Sequence, residues 1–195
     1  MSYIASDVVT SEEKIRATLP DQYEAQIGKI ITCIDDLCQA WIENSPFVVM
    51  STVSKSGKID TSPKGDPAGF VKVIDSQTLA IPDRPGNNRF DSFINILETG
   101  HIGLVFLVPN RSEVVRVSGT AQVVRDIELR NQLALNGRVP EFAILVKVEE
   151  AFYHCGKAVR RAKLWSPEEA ESIEGMPTYS DALEAHVKLD TPLTR

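Results

Sequence analysis

Three polar clusters in this 195-residue chain carry side chains able to hold a ligand or move charge. The first, Arg84-Pro85-Gly86-Asn87-Asn88-Arg89, sets two guanidinium groups, a glycine and two amides just ahead of an apolar-periodic segment. Free backbone N–H groups at a helix start, the positive end of its dipole and forked arginines are what a phosphate dianion needs. The same residues would also make a plain loop, with Asn88 as N-cap and two solvated arginines. The second cluster, Thr61-Ser62-Pro63-Lys64-Gly65-Asp66-Pro67, comes after a strand-like run. Its hydroxyls and main-chain amides suit the polar edge of a heteroaromatic ring, with Lys64 balancing negative charge, while its prolines and glycine equally suit a turn. The third runs from His154 to Trp165 and places Lys157 and Arg161 four residues apart on one helix face, with Trp165 a further turn along. There the flat indole either walls off a planar ligand or completes the core beside a basic helix.

Other chemistries are weakly written. Neither His101 nor His186 has a second His or Cys at ligand spacing, so no metal site is expected. No Walker A loop, GxGxxG or GxSxG follows a strand. His154 and Cys155 are neighbours at a strand end and point to opposite faces, which argues against mutual activation. Cys33, Cys38 and Cys155 are odd in number, with no CxxC pair, and are expected to be reduced apolar fillers. No catalytic acid, base or nucleophile is assigned.

The elements that must position these clusters can be read from periodicity. Ile27, Ile30, Ile31, Ile34, Leu37, Cys38, Trp41 and Ile42 recur at three- and four-residue steps, predicting one amphipathic helix over 22–43 with Trp41 in the core. A shorter helix capped by Thr10 or Ser11 precedes it. From Phe47 the period changes to that of strands. Residues 47–53 and 58–62 form a hairpin around 54–57, and 70–74 and 78–81 a second around 75–77. The segment 82–88 is a loop, because two prolines and a glycine interrupt it, and it feeds a helix whose apolar face is Phe90, Phe93, Ile94 and Leu97. Strands come next at 102–108, 113–124 and 142–153, with helices at 126–135 and 157–164 and a last one capped by Ser180 through Val187. Seven strands in hairpin order, without βαβ alternation, indicate a mainly antiparallel α+β barrel rather than a Rossmann sheet.

Composition sets outer limits. With 43% apolar residues and a net charge of −6, the chain is an ordinary globular one, neither disordered nor fibrous. The longest apolar stretch, 102–108, falls far short of the roughly 20 residues of a membrane span, and residues 1–10 lack a secretory pattern, so a cytoplasmic protein is expected. Charge is uneven: net −5 over 1–45, +4 over 46–167 and −5 over 168–195. A basic island in an acidic chain fits a compact anionic ligand better than nucleic acid, and 7% aromatic content offers no base-stacking platform.

Four ordered segments together resemble the pyridoxamine 5'-phosphate oxidase-like family of FMN-binding split β-barrels. They are Thr61 to Asp66, Leu79 to Arg89, Val115-Arg116-Val117-Ser118-Gly119, and His154 to Ala158 with Arg161 to Trp165. The resemblance implies an FMN-dependent oxidoreductase acting on a small molecule, or in the alternative a non-catalytic flavin-binding or sensing protein. It also implies a homodimer with two FMN sites at the subunit interface. Carried onto this sequence, Ser62, Pro63, Lys64 and Asp66 would line the isoalloxazine, and Arg84, Asn87, Asn88 and Arg89 the ribityl phosphate side. Arg116 would approach the ring from another strand, and Lys157, Arg161 and Trp165 would close the site, from the partner subunit. Residues 1–195 then read as one domain: helices over 1–45, barrel over 46–155 and a helical segment over 156–195. The Arg-x-His element with which the oxidases proper grip their substrate phosphate is absent. Vitamin B6 oxidation is therefore not expected, and the acidic 168–195 segment would repel a second phosphorylated ligand.

Overall fold

From Phe47 onward apolar and polar residues alternate, and the computed structural model, which describes residues 3–21, 24–169 and 172–187, turns that alternation into seven strands. These are β1 (Phe47–Val53), β2 (Ile59–Gly65), β3 (Lys72–Asp75), β4 (Thr78–Pro82), β5 (His101–Leu107), β6 (Val114–Val124) and β7 (Ala143–His154). Every pairing is antiparallel, in the order β2-β1-β5-β6-β7-β4-β3. The sheet stays open, with β2 and β3 as edges, and makes the split β-barrel of α+β type that the resemblance implied. Its helices are α1 (Glu12–Thr18), α2 (Glu24–Gly28), α3 (Asp36–Glu43), α4 (Asp91–Thr99), α5 (Ile127–Gln132), α6 (Lys157–Arg161) and α7 (Tyr179–His186). No helix among the described residues is long and apolar enough to cross a membrane.

The inner face of β1, β5 and β6 supplies Val48, Met50, Leu104, Phe106, Val115 and Val117, all buried, and α3 lays Cys38, Trp41 and Ile42 over it. Trp41 is a core residue, as its place in the stripe predicted. Its indole N–H donates to the Phe106 carbonyl at 3.2 Å, and its ring meets Tyr153 edge-on at 5.4 Å. Of the three cysteines only Cys38 fills core space; Cys33 is half-buried and Cys155 exposed. Burial, reinforced by Asp35, pushes the Cys38 thiol up to about 12, so it stays protonated and inert.

Several expected boundaries shift, each because a distant partner overrides local periodicity. The helix expected over 22–43, whose residues 22 and 23 lie outside the described ones, is broken into α2 and α3. Ile31 exchanges two main-chain bonds with Ala151, at 3.0 and 2.8 Å, and Ile34 N–H donates to Ser76. Asp35 then starts α3 afresh, its Oδ1 accepting from Cys38 N–H at 2.8 Å. Strand β2 runs on to Gly65, so the polar cluster beginning at Thr61 is a sheet edge, where Pro63 is tolerated, rather than a turn. Helix α5 stops at Gln132, short of 135, and α6 ends at Arg161. Ser11 caps α1 as expected, but α7 is capped by Thr178 in a reciprocal box with Asp181, not by Ser180. In α4 the apolar face is largely reversed: Phe93 is half-buried against the core as expected, but Phe90, Ile94 and Leu97 are exposed, and Ser92, Asn95 and Ile96 are buried.

The β6–β7 ladder slips between Ser118 and Gly119, opposite Glu149. A Cβ on Gly119 would strike the Lys147 carbonyl oxygen and stand 3.1 Å from the Glu149 nitrogen. Both obstacles are backbone and cannot swing away. Gly119→Ala should therefore destabilise by about 3 kcal/mol or more, lowering the melting temperature by roughly 6–12 °C. A melting curve within about 2 °C of wild type would show that the bulge relaxes.

Candidate functional site

The candidate cleft begins where one strand changes character. Residues two apart on a strand share a face, so Lys64, Ser62 and Asp60 of β2 stand beside Val48, Met50 and Thr52 of β1 on the inner face of the sheet. Where its neighbours extend the core, β2 presents a cation, a hydroxyl and a carboxylate. The opposite wall comes from Ile81, Pro82 and Ile144 near the other side of the sheet, and from the loops 83–91 and 135–141. Between them lies a cleft of about 1010 Å³.

Helix α4 covers the polar side of this strand pair, which explains its reversed face. Ser92 Oγ donates to Asp60 Oδ2 at 2.8 Å and stands 3.4 Å from Ser62 Oγ, while Asn95 Nδ2 donates to Thr52 Oγ1 at 3.0 Å. The loop before α4 is strained: Asn88 and the bulky Phe90 both have φ 57, in the left-handed region. Phe90, not Asn88, is the N-cap, and it offers no side-chain acceptor to the backbone donors at the helix start. Arg89 N–H donates to Asn87 Oδ1 at 3.1 Å, and Arg89 Nε to Asp91 at 2.7 Å. Its two terminal nitrogens have no partner among the described residues. Arg84 is held at two points, its Nε bound to Asp66 and its Nη2 to the Leu133 carbonyl at 3.0 Å.

Ser62, Pro63, Lys64, Arg84, Asn87, Asn88 and Arg89 thus line one cleft, and Asp66 stands behind it as the partner of Arg84. Arg116, Lys157, Arg161 and Trp165 do not line it. Arg116 projects from the outer face of β6, with its guanidinium 5.1 Å from the Phe152 ring. Lys157 and Arg161 are exposed on the short α6, and the chain turns at Lys163 (φ 50) before Trp165, so the three do not continue along one helix. Trp165 Nε1 donates to the Arg111 carbonyl at 2.7 Å, tying the segment to the β5–β6 turn.

Sequence reasoning overlooked Asp60, Asp83, Ser92, Arg138 and Glu141, all of which line the cleft. One signal was available: Asn136-Gly137, a dipeptide that favours two-residue turns, forms one, closed by bonds of 3.0 and 2.9 Å between Leu135 and Arg138. Among the described residues no group of three or more His, Cys, Asp or Glu is placed to hold a metal ion.

Burial raises the Asp83 carboxyl above the ordinary aspartate range, and Lys64, the strongest opposing charge, lowers it in part. A carboxyl raised in the folded state favours folding while protonated and loses that contribution as pH rises through its folded value. Asp83→Asn removes the loss, so the variant should melt above wild type at pH 7. The difference should vanish below the ordinary aspartate value of about 3.9. A variant less stable than wild type at pH 7 would show that the Lys64 attraction outweighs burial.

No curated protein matches the chain at a significant level. Among solved structures, HupZ of Group A Streptococcus superposes with a TM-score of 0.52 at 21% identity, covering 62% of this chain and 93% of HupZ. A candidate pyridoxamine 5'-phosphate oxidase from Lactobacillus delbrueckii gives 0.50 at 22% identity, covering 63% and 95%. At these identities the likeness speaks for the fold. The family model for pyridoxamine 5'-phosphate oxidase matches residues 34–155, more than half of the sequence and the span that builds β1 to β7 and the cleft. The chain belongs to the pyridoxamine 5'-phosphate oxidase family.

Proposed function

We propose that the cleft binds FMN without a covalent bond and that the protein is an FMN-dependent oxidoreductase acting on a small molecule. The observation that carries this reading is the Asn87-Asn88-Arg89 loop, with side-chain amides, two unpartnered arginine nitrogens and uncapped helix N–H groups opening on one cavity. Such a donor set matches a phosphate. The inner face of β2 then supplies Ser62 and Lys64 to the polar edge of the flavin ring, and Arg84, fixed by Asp66, walls the phosphate side. The flavin supplies the redox chemistry, which is why no strong acid, base or nucleophile is needed in the sequence. Ser62 and Lys64 orient the ring and offer donors to charge that develops on it.

We further propose a homodimer. Pro63, Val49, Val105, Arg116 and Phe152 form one row across β2, β1, β5, β6 and β7 on the outer face. Pro63 also lines the cleft, so that face is continuous with the cleft mouth. Phe47, at 39% exposure, belongs to the same face; Phe90, Ile94 and Leu97, exposed on α4, add apolar surface on the cleft side of the sheet. Obligate interfaces commonly bury over about 2,000 Å² of such surface. Pairing across it would give Arg116, Lys157, Arg161 and Trp165 a site in the partner that they lack in their own subunit.

Reconstitution with FMN should give saturable fluorescence quenching at micromolar protein; none would end the cofactor assignment. Arg89→Ala should weaken FMN roughly 10- to 150-fold while leaving riboflavin little changed. Equal loss for both would make Arg89 structural. Turnover of bound flavin by NAD(P)H separates an enzyme from a flavin-binding protein without catalysis.

Analytical ultracentrifugation should find a flavin-loaded dimer; a flavin-loaded monomer of 21.5 kDa would defeat the shared site. Trp165→Ala should impair flavin retention and cost less stability than the about 3–5 kcal/mol of a core tryptophan, since its ring is only half-buried.

A further inference from the structure

The 135–141 wall of the cleft is idle in the flavin assignment, yet it is firmly built. Asn136 (φ 49) and Gly137 (φ 75) make a tight turn, and Arg130, whose side chain is only 12% exposed, pins residues 140 and 141 beyond it. Its Nε donates to the Pro140 carbonyl at 2.6 Å, and its Nη2 lies 3.6 Å from Glu141. Arg125 pairs with the same carboxylate at 3.5 Å, and Asp83 N–H donates to the Phe142 carbonyl at 3.0 Å. Arg138 is therefore presented to the cleft from a fixed backbone.

Most charges around the cleft have a partner; the Lys64 ammonium, like Arg138, has none within ion-pair distance among the described residues. Asp66 and Leu133 hold Arg84, Asp91 holds Arg89 at Nε, Ser92 donates to Asp60, and two arginines hold Glu141. Lys64 and Asp83 attract one another. The Arg138 guanidinium has no hydrogen-bond or ion-pair partner among the described residues. Beside it Val139, Pro140, Ile144 and Phe93 form an apolar wall. The cleft volume of about 1010 Å³ reaches the upper end of the roughly 300–1,000 Å³ of small-molecule sites, so it has room for a second ligand beside a cofactor.

We propose that this wall is the substrate subsite and that it takes a planar small molecule bearing a carboxylate. The carboxylate is forked by Arg138, and the planar body lies against Phe93 and Val139. A monoanion suits the wall better than a phosphate dianion, because Asp83 and Glu141 line the same side. The role as substrate site rests on the FMN reading; the binding of the carboxylate does not.

Benzoate is the probe, titrated calorimetrically into FMN-loaded and flavin-free protein, with benzyl alcohol and inorganic phosphate as comparisons. Benzoate should saturate both forms and shift the visible spectrum of bound flavin. Arg138→Gln should weaken benzoate roughly 10- to 150-fold, and Arg138→Lys should recover only part of it, since an ammonium lacks the fork. Neither variant should change FMN affinity or melting temperature, because the guanidinium makes no internal polar contact. Four results overturn the proposal: no saturable benzoate binding, benzoate unaffected by Arg138→Gln, FMN weakened as much as benzoate, or benzyl alcohol or phosphate binding as well as benzoate. If the protein takes up no FMN the cofactor reading falls, and benzoate titration of the flavin-free protein still decides for or against Arg138.

Discussion

An open antiparallel sheet has two edges with no strand between them, and here one guanidinium ties the β2 edge to the end of β4, the strand beside the other edge. Arg84 lies just past β4, Asp66 just past β2, and their part-buried ion pair closes the barrel at its split. The second bond of Arg84, to the Leu133 carbonyl at the end of α5, ties in the segment that carries Arg138. Three walls of the cleft therefore share one fixed point. A pair of this kind contributes less by its own net energy than by geometry, since desolvation cancels much of its attraction, while losing either partner leaves a part-buried charge without its counterion. That same geometry leaves the cleft open. A continuous ladder from β2 to β3 would have filled the space with backbone hydrogen bonds, as closed barrels do.

The polar inner face of β2 results from that opening and propagates outward. A strand that faces a water-accessible cleft needs no apolar side chains, so Asp60, Ser62 and Lys64 stand where the core would otherwise extend. The helix above them must answer with polar groups, and α4 does so through Ser92 and Asn95. Ile96 and Phe93 still pack on the core, but Ile94 and Leu97 are displaced to the outside. Exposed Ile94 and Leu97 are thus not a packing error but the consequence of a helix whose buried face binds a polar strand, and they give the molecule an apolar exterior next to its cleft.

Much of this was legible in the sequence and the rest was not, for reasons that can be named. Strands and hairpins were readable because their period and turns are local: β1, β3, β4, β5, β6 and β7 fall within a residue or two of their expected limits. The loop before α4 was readable because proline and glycine punctuate any fold. Helix faces were not, because three- and four-residue spacing identifies a stripe without saying what it meets. In α4 the stripe was real and pointed largely the wrong way. The isoleucines at 30, 31 and 34 were likewise real, but Ile31 satisfied its main chain against Ala151, a contact between residues too far apart for any window to register. Within the site, Arg84 and Arg89 were identified as one chemical pair, yet the Arg84 side chain is held at two points, by Asp66 and Leu133, and that of Arg89 at one, by Asp91. Commitment depends on neighbours such as Asp66 and Leu133 that arrive by folding.

Availability, more than proximity, decides what such a cleft can do. It is lined by as many acids as bases, four of each, so net charge alone would make it indifferent to anions. Once each internal pair is set aside, the groups without a partner among the described residues sort by position: the amides and terminal arginine nitrogens of 87–89 at the start of α4, Lys64 on β2, and Arg138 on the turn after α5. Cationic points on three separate elements of one cavity fit two ligands better than one. A flavin enzyme needs that arrangement, because the cofactor carries the redox chemistry but cannot choose its partner. On the proposed flavin reading, that choice would fall in this chain to the residues that folding leaves unpaired.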